Sequence, residues 1–134
     1  MWSRIVGNIR IISNNAQVLE KYPGLTQLVV GNVLAVYHAA RDAIHQGAVL
    51  INDPLAGSVK PNQNPYRSLL LSAVAEGPLA LDSLTQIESA LRTLARLPKL
   101  NHPAYSEQLL EDFRFIDRSL LESALNSLPA RYYF

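Results

Sequence analysis

Hydrogen-bonding side chains are concentrated at two places in this sequence. The first is the run Ser13, Asn14 and Asn15, and the second is the long segment from Asn52 to Arg67, which is rich in Pro, Asn, Gly and cations. Apolar, strand-like runs flank the second segment on both sides. A connection of that length without secondary structure is uncommon in a compact domain and is often functional.

Both places follow predicted strands, and in open α/β sheets ligands bind beyond the carboxyl ends of the strands. Asn14 and Asn15 follow the first predicted strand, and Asn52 and Asp53 follow the third. If those two strands are neighbours, the four side chains converge and offer amide and carboxylate groups to a small polar ligand. The alternative is that all four cap helices or shape turns, which Asn and Asp commonly do.

The middle of the long segment offers groups suited to an anion. Gly57 permits close approach of backbone N–H groups, and Ser58, Lys60 and Arg67 add donors for a carboxylate or phosphate. The Walker spacing GxxxxGK[ST] is absent. The alternative is a rigid Ω-like loop whose prolines restrict the backbone and whose cations are solvated. The predicted ligand-binding residues are therefore Asn14, Asn15, Asn52, Asp53, Gly57, Ser58, Lys60, Tyr66 and Arg67.

The sequence carries no pattern for a metal, cofactor or covalent nucleophile. His38, Asp42 and His45 share one helix face, but a zinc site needs a further ligand or an HExxH pattern, and a hydrogen-bonded helix face is the preferred interpretation. No serine stands in a GxSxG turn. The chain has no cysteine, which excludes thiol chemistry. We predict no metal and no cofactor.

Composition limits the class of protein. A chain of 134 residues predicts one domain with its own core. A net charge of +1 without a dense Lys/Arg run argues against nucleic-acid binding. No apolar run reaches the roughly twenty residues that span a bilayer, and the arginine-containing start is not a signal peptide. We therefore expect no membrane contact and a cytoplasmic protein. The low charged fraction of 17% suggests that a partner covers some apolar surface.

Strands and helices alternate along the predicted chain. The periodicity and the Gly, Pro and capping signals predict strands at Ile9–Ile12, Leu28–Val30, Ala48–Ile51 and Ser68–Val74, and helices at Ala16–Tyr22, Val33–His45, from Asp82 or Ser83 to about Leu97, and from near Ser106 to about Leu128. Ser83 and Gln86 fit a capping box.

This order predicts an α/β layered fold with a small, mostly parallel four-stranded sheet flanked by helices. The whole of 1–134 is predicted as a single domain, with a core at about 9–97 and a C-terminal helix at about 106–128. The apolar stripe of that last helix is interpreted as core, and it could also hold a homodimer partner.

The segment NDPLAGSVKPNQNPYRSLLLS resembles the GrdX family. The resemblance lies in a PLxGSxKPNxxPYRS pattern formed here by Pro54, Leu55, Gly57, Ser58, Lys60, Pro61, Asn62, Pro65, Tyr66, Arg67 and Ser68. It extends over roughly residues 9–97. It implies a small bacterial accessory protein of glycine, sarcosine and betaine reductase systems, without an established activity and without a catalytic residue to carry over.

Three hypotheses follow. In the first, the chain is an accessory protein whose 52–67 segment binds a small anionic metabolite or a reductase-complex protein. In the second, it is a small enzyme for a carboxylate or phosphate substrate, with Asp53 as acid or base and Lys60 or Arg67 orienting the substrate. In the third, it is a pure protein-interaction module that uses the loop and the last helix. Whether the chain is an enzyme stays open, and the resemblance favours a binding role.

Overall fold

The computed structural model describes residues 8–55, 63–73, 77–97 and 104–132. In chain order, the elements are β1 (Ile9–Ser13), α1 (Ala16–Lys21), β2 (Thr26–Leu28), α2 (Val33–His45), β3 (Ser68–Ser72), α3 (Leu81–Arg96) and α4 (Glu107–Asn126), followed by a short 3-10 helix (Ala130–Tyr132). Of the predicted last strand, residue 74 lies outside the described residues. None of the helices in the described segments is long and apolar enough to cross a membrane.

The sheet formed by the described residues has three strands in the order β2-β1-β3. β1 is parallel to β2 and antiparallel to β3, with Ile11 opposite Leu70 in the antiparallel pair. The prediction of a mostly parallel four-stranded sheet is therefore wrong. α1 forms the crossover that joins the parallel strands β1 and β2. β3, which follows α2, runs antiparallel to β1.

The predicted third strand, Ala48–Ile51, forms only an isolated antiparallel bridge between Leu50 and Leu71. The Ile51 N–H donates to the Leu70 carbonyl over 2.8 Å. The Leu70 N–H in turn donates to the side-chain Oδ1 of Asn52 at 2.9 Å. The backbone pairing with β3 ends at this point because a side-chain oxygen replaces the backbone carbonyl that would continue it.

The sheet separates two apolar clusters, as the alternation of side chains along a strand requires. On one face, Ile12, Leu69 and Leu71 pack with α2 and α3 residues such as Tyr37 and Ile87. On the other face lie side chains from β1, β3, α1 and α4, among them Ile9, Ile11, Leu70, Val18, Leu121 and Leu125. Thus α4 shares a cluster with β1.

The helices begin and end close to their predicted bounds, with one local error. Asn15, Asn32 and Ser106 each accept a backbone N–H at the start of a helix. α3, however, begins after Ala80 without a side-chain cap. The predicted capping box at Ser83 is wrong, because its Oγ accepts the Leu50 N–H at 2.9 Å. Ser83 therefore binds the backbone of the 50–55 segment and does not cap its own helix.

Candidate functional site

Asn14 joins three segments at the carboxyl end of β1. Its Oδ1 accepts the Arg67 N–H at 2.8 Å. Its Nδ2 donates to the carbonyls of Gly31 at 3.0 Å and Pro65 at 2.9 Å. Both amide hydrogens are thus used by the protein backbone, so that Asn14 positions the end of the long segment.

Asn15 is fully buried and connects α1 to α4. Its Oδ1 accepts the Gln17 N–H at 3.1 Å, which caps α1. Its Nδ2 donates to the Arg114 carbonyl at 2.9 Å and to Asp117 Oδ2 at 3.0 Å. The predicted capping role is confirmed, and the same amide also holds the middle of α4.

Asp117 is a buried carboxylate that the sequence analysis did not identify; it is 4% exposed. Its Oδ2 also accepts the Ser68 hydroxyl at 2.7 Å. The Oγ atoms of Ser68 and Ser13 lie 2.8 Å apart. Because the Ser68 hydrogen points to Asp117, Ser13 donates to Ser68, and the chain of hydroxyls leads to the carboxylate. We name Ser13, Asn15, Ser68 and Asp117 the buried polar cluster.

Burial raises the pKa of Asp117 above its usual value near 3.8, against the opposing effect of hydrogen bonds from Ser68 and Asn15 and of the Arg67 charge. A signal for this residue was present in the sequence. Phe113, Asp117 and Leu121 follow each other at a spacing of four, so the carboxylate interrupts a helical apolar series. A charged residue inside such a series requires partners.

Arg67 ties the two ends of the long segment together. It is 6% exposed, and its Nη1 donates to the Pro54 carbonyl at 3.0 Å. The Tyr37 hydroxyl donates to the same carbonyl at 2.5 Å, and the guanidinium carbon lies 5.9 Å from the centre of the Tyr37 ring. The guanidinium therefore holds the segment in place, where the sequence analysis expected it to face a ligand.

The other predicted residues have separate environments. Asn52 is hydrogen-bonded to β3, because its Nδ2 donates to the Ser68 carbonyl at 3.4 Å. Asp53 is exposed, and its Oδ1 accepts the Leu55 N–H at 2.9 Å in a local turn. The Tyr66 hydroxyl accepts from Arg114 Nη1 at 2.8 Å. The predicted residues Gly57, Ser58 and Lys60 lie outside the described residues.

The strand order separates Asn14 and Asn15 from Asn52 and Asp53, which were expected to converge. β3 lies between β1 and the 49–51 segment, so Ser13 contacts Ser68 from one side and Asn52 contacts it from the other. The described members of the predicted site thus share one edge of the sheet, but they bind mainly to backbone groups and to Arg114 and Asp117 of α4. The turn-and-cap alternative holds for Asn15 and Asp53. Asn14 and Asn52 instead form hydrogen bonds to backbone groups that are distant in sequence. Ligand binding by the nine residues stays a prediction.

A pocket of about 460 Å³ lies between the 50–55 segment and α3. Its walls are formed by Leu50, Ile51, Asn52, Asp53, Pro54, Leu55, Thr85, Gln86, Ser89 and Ala90. Asn52 and Asp53 were predicted as site residues from the sequence. The α3 residues of the pocket were not, because nothing local in the sequence sets their distance from the 50–55 segment.

The outer face of α4 carries exposed apolar side chains. Leu109, Ile116 and Leu120 are 38%, 45% and 38% exposed. With the half-buried Phe113 they recur at helical spacing, and we name these four residues the outer stripe.

The outer stripe adjoins the end of the long segment. Asn64 Nδ2 donates to the Phe113 carbonyl at 3.1 Å. The Tyr105 hydroxyl donates to the Gln63 carbonyl at 3.0 Å, and its ring centre lies 5.4 Å from that of Phe113. The stripe and residues 63–66 therefore form a continuous surface. Within the described ranges, no three His, Cys, Asp or Glu side chains are grouped as a metal site.

A family model described as GrdX-like protein matches residues 10–126. The match runs from β1 to the last residue of α4, further than the resemblance noted over residues 9–97. No curated protein and no solved structure matches the chain.

Proposed function

The chain belongs to the GrdX-like protein family, and on that premise we propose that it is an accessory protein of amino-acid reductase metabolism that acts by binding a partner protein. The proposed binding surface consists of residues 63–66 and the outer stripe of α4. The observation that carries the proposal is the continuity of this exposed apolar stripe with residues 63–66, which include Pro65 and Tyr66 of the family pattern.

The segment is held rigidly at the surface. Asn14 binds the carbonyl of Pro65 and the N–H of Arg67, and the Arg67 side chain is itself anchored to Pro54. Asn64 contributes a further bond to α4. A surface that is ordered before binding loses little conformational entropy when a partner binds. Contiguous exposed apolar side chains of this kind mark interaction sites.

Charges beside the stripe indicate the chemistry of the partner. Asp112 is exposed and lies four residues before Ile116, so its carboxylate borders the stripe. Glu107 and Glu111 both pair with Arg114 and lie on the opposite side of α4 from the stripe. Asp112 is therefore the acidic residue that borders the stripe.

A partner surface with apolar side chains flanked by Lys or Arg is complementary to this arrangement. In a homodimer through the outer stripe, each copy would bring Asp112 to the edge of an interface made of apolar side chains. The stripe of a second copy offers no cation to that carboxylate, so a second copy of the chain is the less favoured occupant.

The experiment is to co-express the tagged chain with the proteins of the glycine, sarcosine and betaine reductase systems and to measure the affinity of any purified complex. Ile116→Lys places a cation in the stripe, and we expect its affinity to fall at least tenfold, or about 1.4 kcal/mol. Leu81→Lys is the matched control, because Leu81 is 69% exposed at the start of α3. Absence of any complex, or equal affinity of both variants, would contradict the proposal.

The anion-binding form of the first hypothesis and the enzyme hypothesis receive less support from the described residues. An anion site or an enzyme would use Lys60 and Arg67, but the guanidinium of Arg67 is buried against Pro54 and Tyr37. Asp53, the suggested acid or base, is exposed and accepts a hydrogen bond from its own turn. Both hypotheses now depend on the residues 56–62 that the structure does not describe.

A further inference from the structure

We propose that the pocket between the 50–55 segment and α3 is a second binding site, for a small molecule with an aliphatic body and an amine or ammonium group. The pocket lies with α2 and α3 on one face of the sheet, whereas α4 and its outer stripe lie on the other. This site is therefore separate from the proposed partner surface.

Both ends of the pocket wall are fixed by buried hydrogen bonds. At one end, Ser83 Oγ of α3 accepts the Leu50 N–H at 2.9 Å. At the other end, the carbonyl of Pro54 accepts from Tyr37 and Arg67. The segment is thereby held at a set distance from α3. A volume of about 460 Å³ lies in the range of small-ligand sites, which are usually formed before the ligand binds.

The lining has an apolar part and a polar part. Five aliphatic residues provide surface for methylene groups, namely Leu50, Ile51, Pro54, Leu55 and Ala90. On α3, Thr85 and Ser89 lie four residues apart and present hydroxyls on one face, and Gln86 adds an amide. These groups can donate to or accept from a polar ligand atom.

The charge of the lining selects the ligand class. Of the described residues that line the pocket, Asp53 alone has a formally charged side chain. The turn bond from the Leu55 N–H to its Oδ1 holds this carboxylate in place. An ammonium group gains a charge-assisted hydrogen bond here, whereas a carboxylate or phosphate would meet a like charge. In the part of the chain that the structure describes, no cation forms an ion pair with Asp53.

The test compares three probes of equal chain length, butylamine, butyrate and butanol, by isothermal titration calorimetry and by the shift in Tm. We expect saturable binding of butylamine and none of butyrate. In Asp53→Asn, the butylamine Kd should rise at least tenfold. This variant keeps an oxygen for the Leu55 N–H, so its fold is preserved. Asp82→Asn is the matched control, since it removes the same charge from the exposed first turn of α3.

A second variant tests the location independently of charge. Ser89→Leu fills the pocket and should abolish butylamine binding while the unfolding transition of the free protein is retained, because Ser89 is exposed. The proposal is overturned if the wild type does not bind butylamine, if butyrate binds equally well, or if either pocket variant binds like the wild type. Ile116→Lys should bind butylamine normally, so that the outcome is distinct from that for the partner surface.

Discussion

The buried carboxylate of Asp117 permits the sharpest test of how this chain holds its sheet edge to α4. Asp117→Ala removes the acceptor of the Ser68 hydroxyl and of the Asn15 amide, at 2.7 Å and 3.0 Å. Each buried donor left without a partner costs about 1–3 kcal/mol. With two such donors, we expect the free energy of unfolding to fall by about 2 kcal/mol or more, a large part of the stability of a small domain.

Asp117→Asn separates the effect of charge from that of hydrogen bonding. Burial raises the pKa of Asp117 in the folded protein above its unfolded value near 3.8, so the folded state binds this proton more tightly. The stability contribution is then complete below the unfolded pKa and is lost as pH rises through the folded pKa. The Asn variant cannot titrate at this position. We expect the stability of the wild type, relative to this variant, to decrease as pH rises from about 4 towards neutrality.

The assay is urea unfolding followed by circular dichroism at a series of pH values, with Asp112→Asn as control. Asp112 lies on the same helix but is exposed, so its substitution should change stability by no more than about 0.5 kcal/mol. A loss below about 1 kcal/mol in Asp117→Ala would refute the role of the buried polar cluster. A wild-type advantage over Asp117→Asn that grows with pH would refute the assignment of burial as the dominant cause.

Two further predictions concern the ends of the 50–55 segment. Tyr37→Phe removes one of two donors to the Pro54 carbonyl and should lower the free energy of unfolding by about 1 kcal/mol. Arg67→Met removes the other donor together with the contact of the guanidinium with the Tyr37 ring, and should lower it by more. Both changes are measured by urea unfolding. Ser83→Ala leaves the Leu50 N–H without its acceptor and should lower the free energy of unfolding by about 1–2 kcal/mol. Faster hydrogen exchange of the Leu50 amide in Ser83→Ala would confirm this prediction, and an unchanged exchange rate would exclude it.

Helices were predicted well because their signals are local. The bounds of α2, Val33–His45, follow from apolar spacing and from flanking Asn and Gly residues within a few positions of each end. The Asn15 and Ser106 caps bond N–H groups two and three residues away. The exception was Ser83, which has the right type for a cap but bonds Leu50, 33 residues away.

Strand partners were predicted poorly because pairing joins distant residues. The continuous apolar run Ala48–Ile51 is compatible with a central parallel strand or with an edge, and composition alone does not distinguish them. In the structure, β3 occupies the position beside β1, and the run is left with a single bridge. As a result, β3 lies between β1, which precedes Asn14, and the run that precedes Asn52.

The family pattern, the helices and the hydrogen-bonding residue types at the sheet edge can be read from the sequence alone. The partners of those groups depend on the fold. Arg67 and Asn14 bind backbone carbonyls, and Asp117 accepts hydrogen bonds from Ser68 and Asn15, which are 49 and 102 residues away. A hydrogen bond requires its two atoms within about 3 Å, and the packing of α4 and β3 against β1 sets that distance.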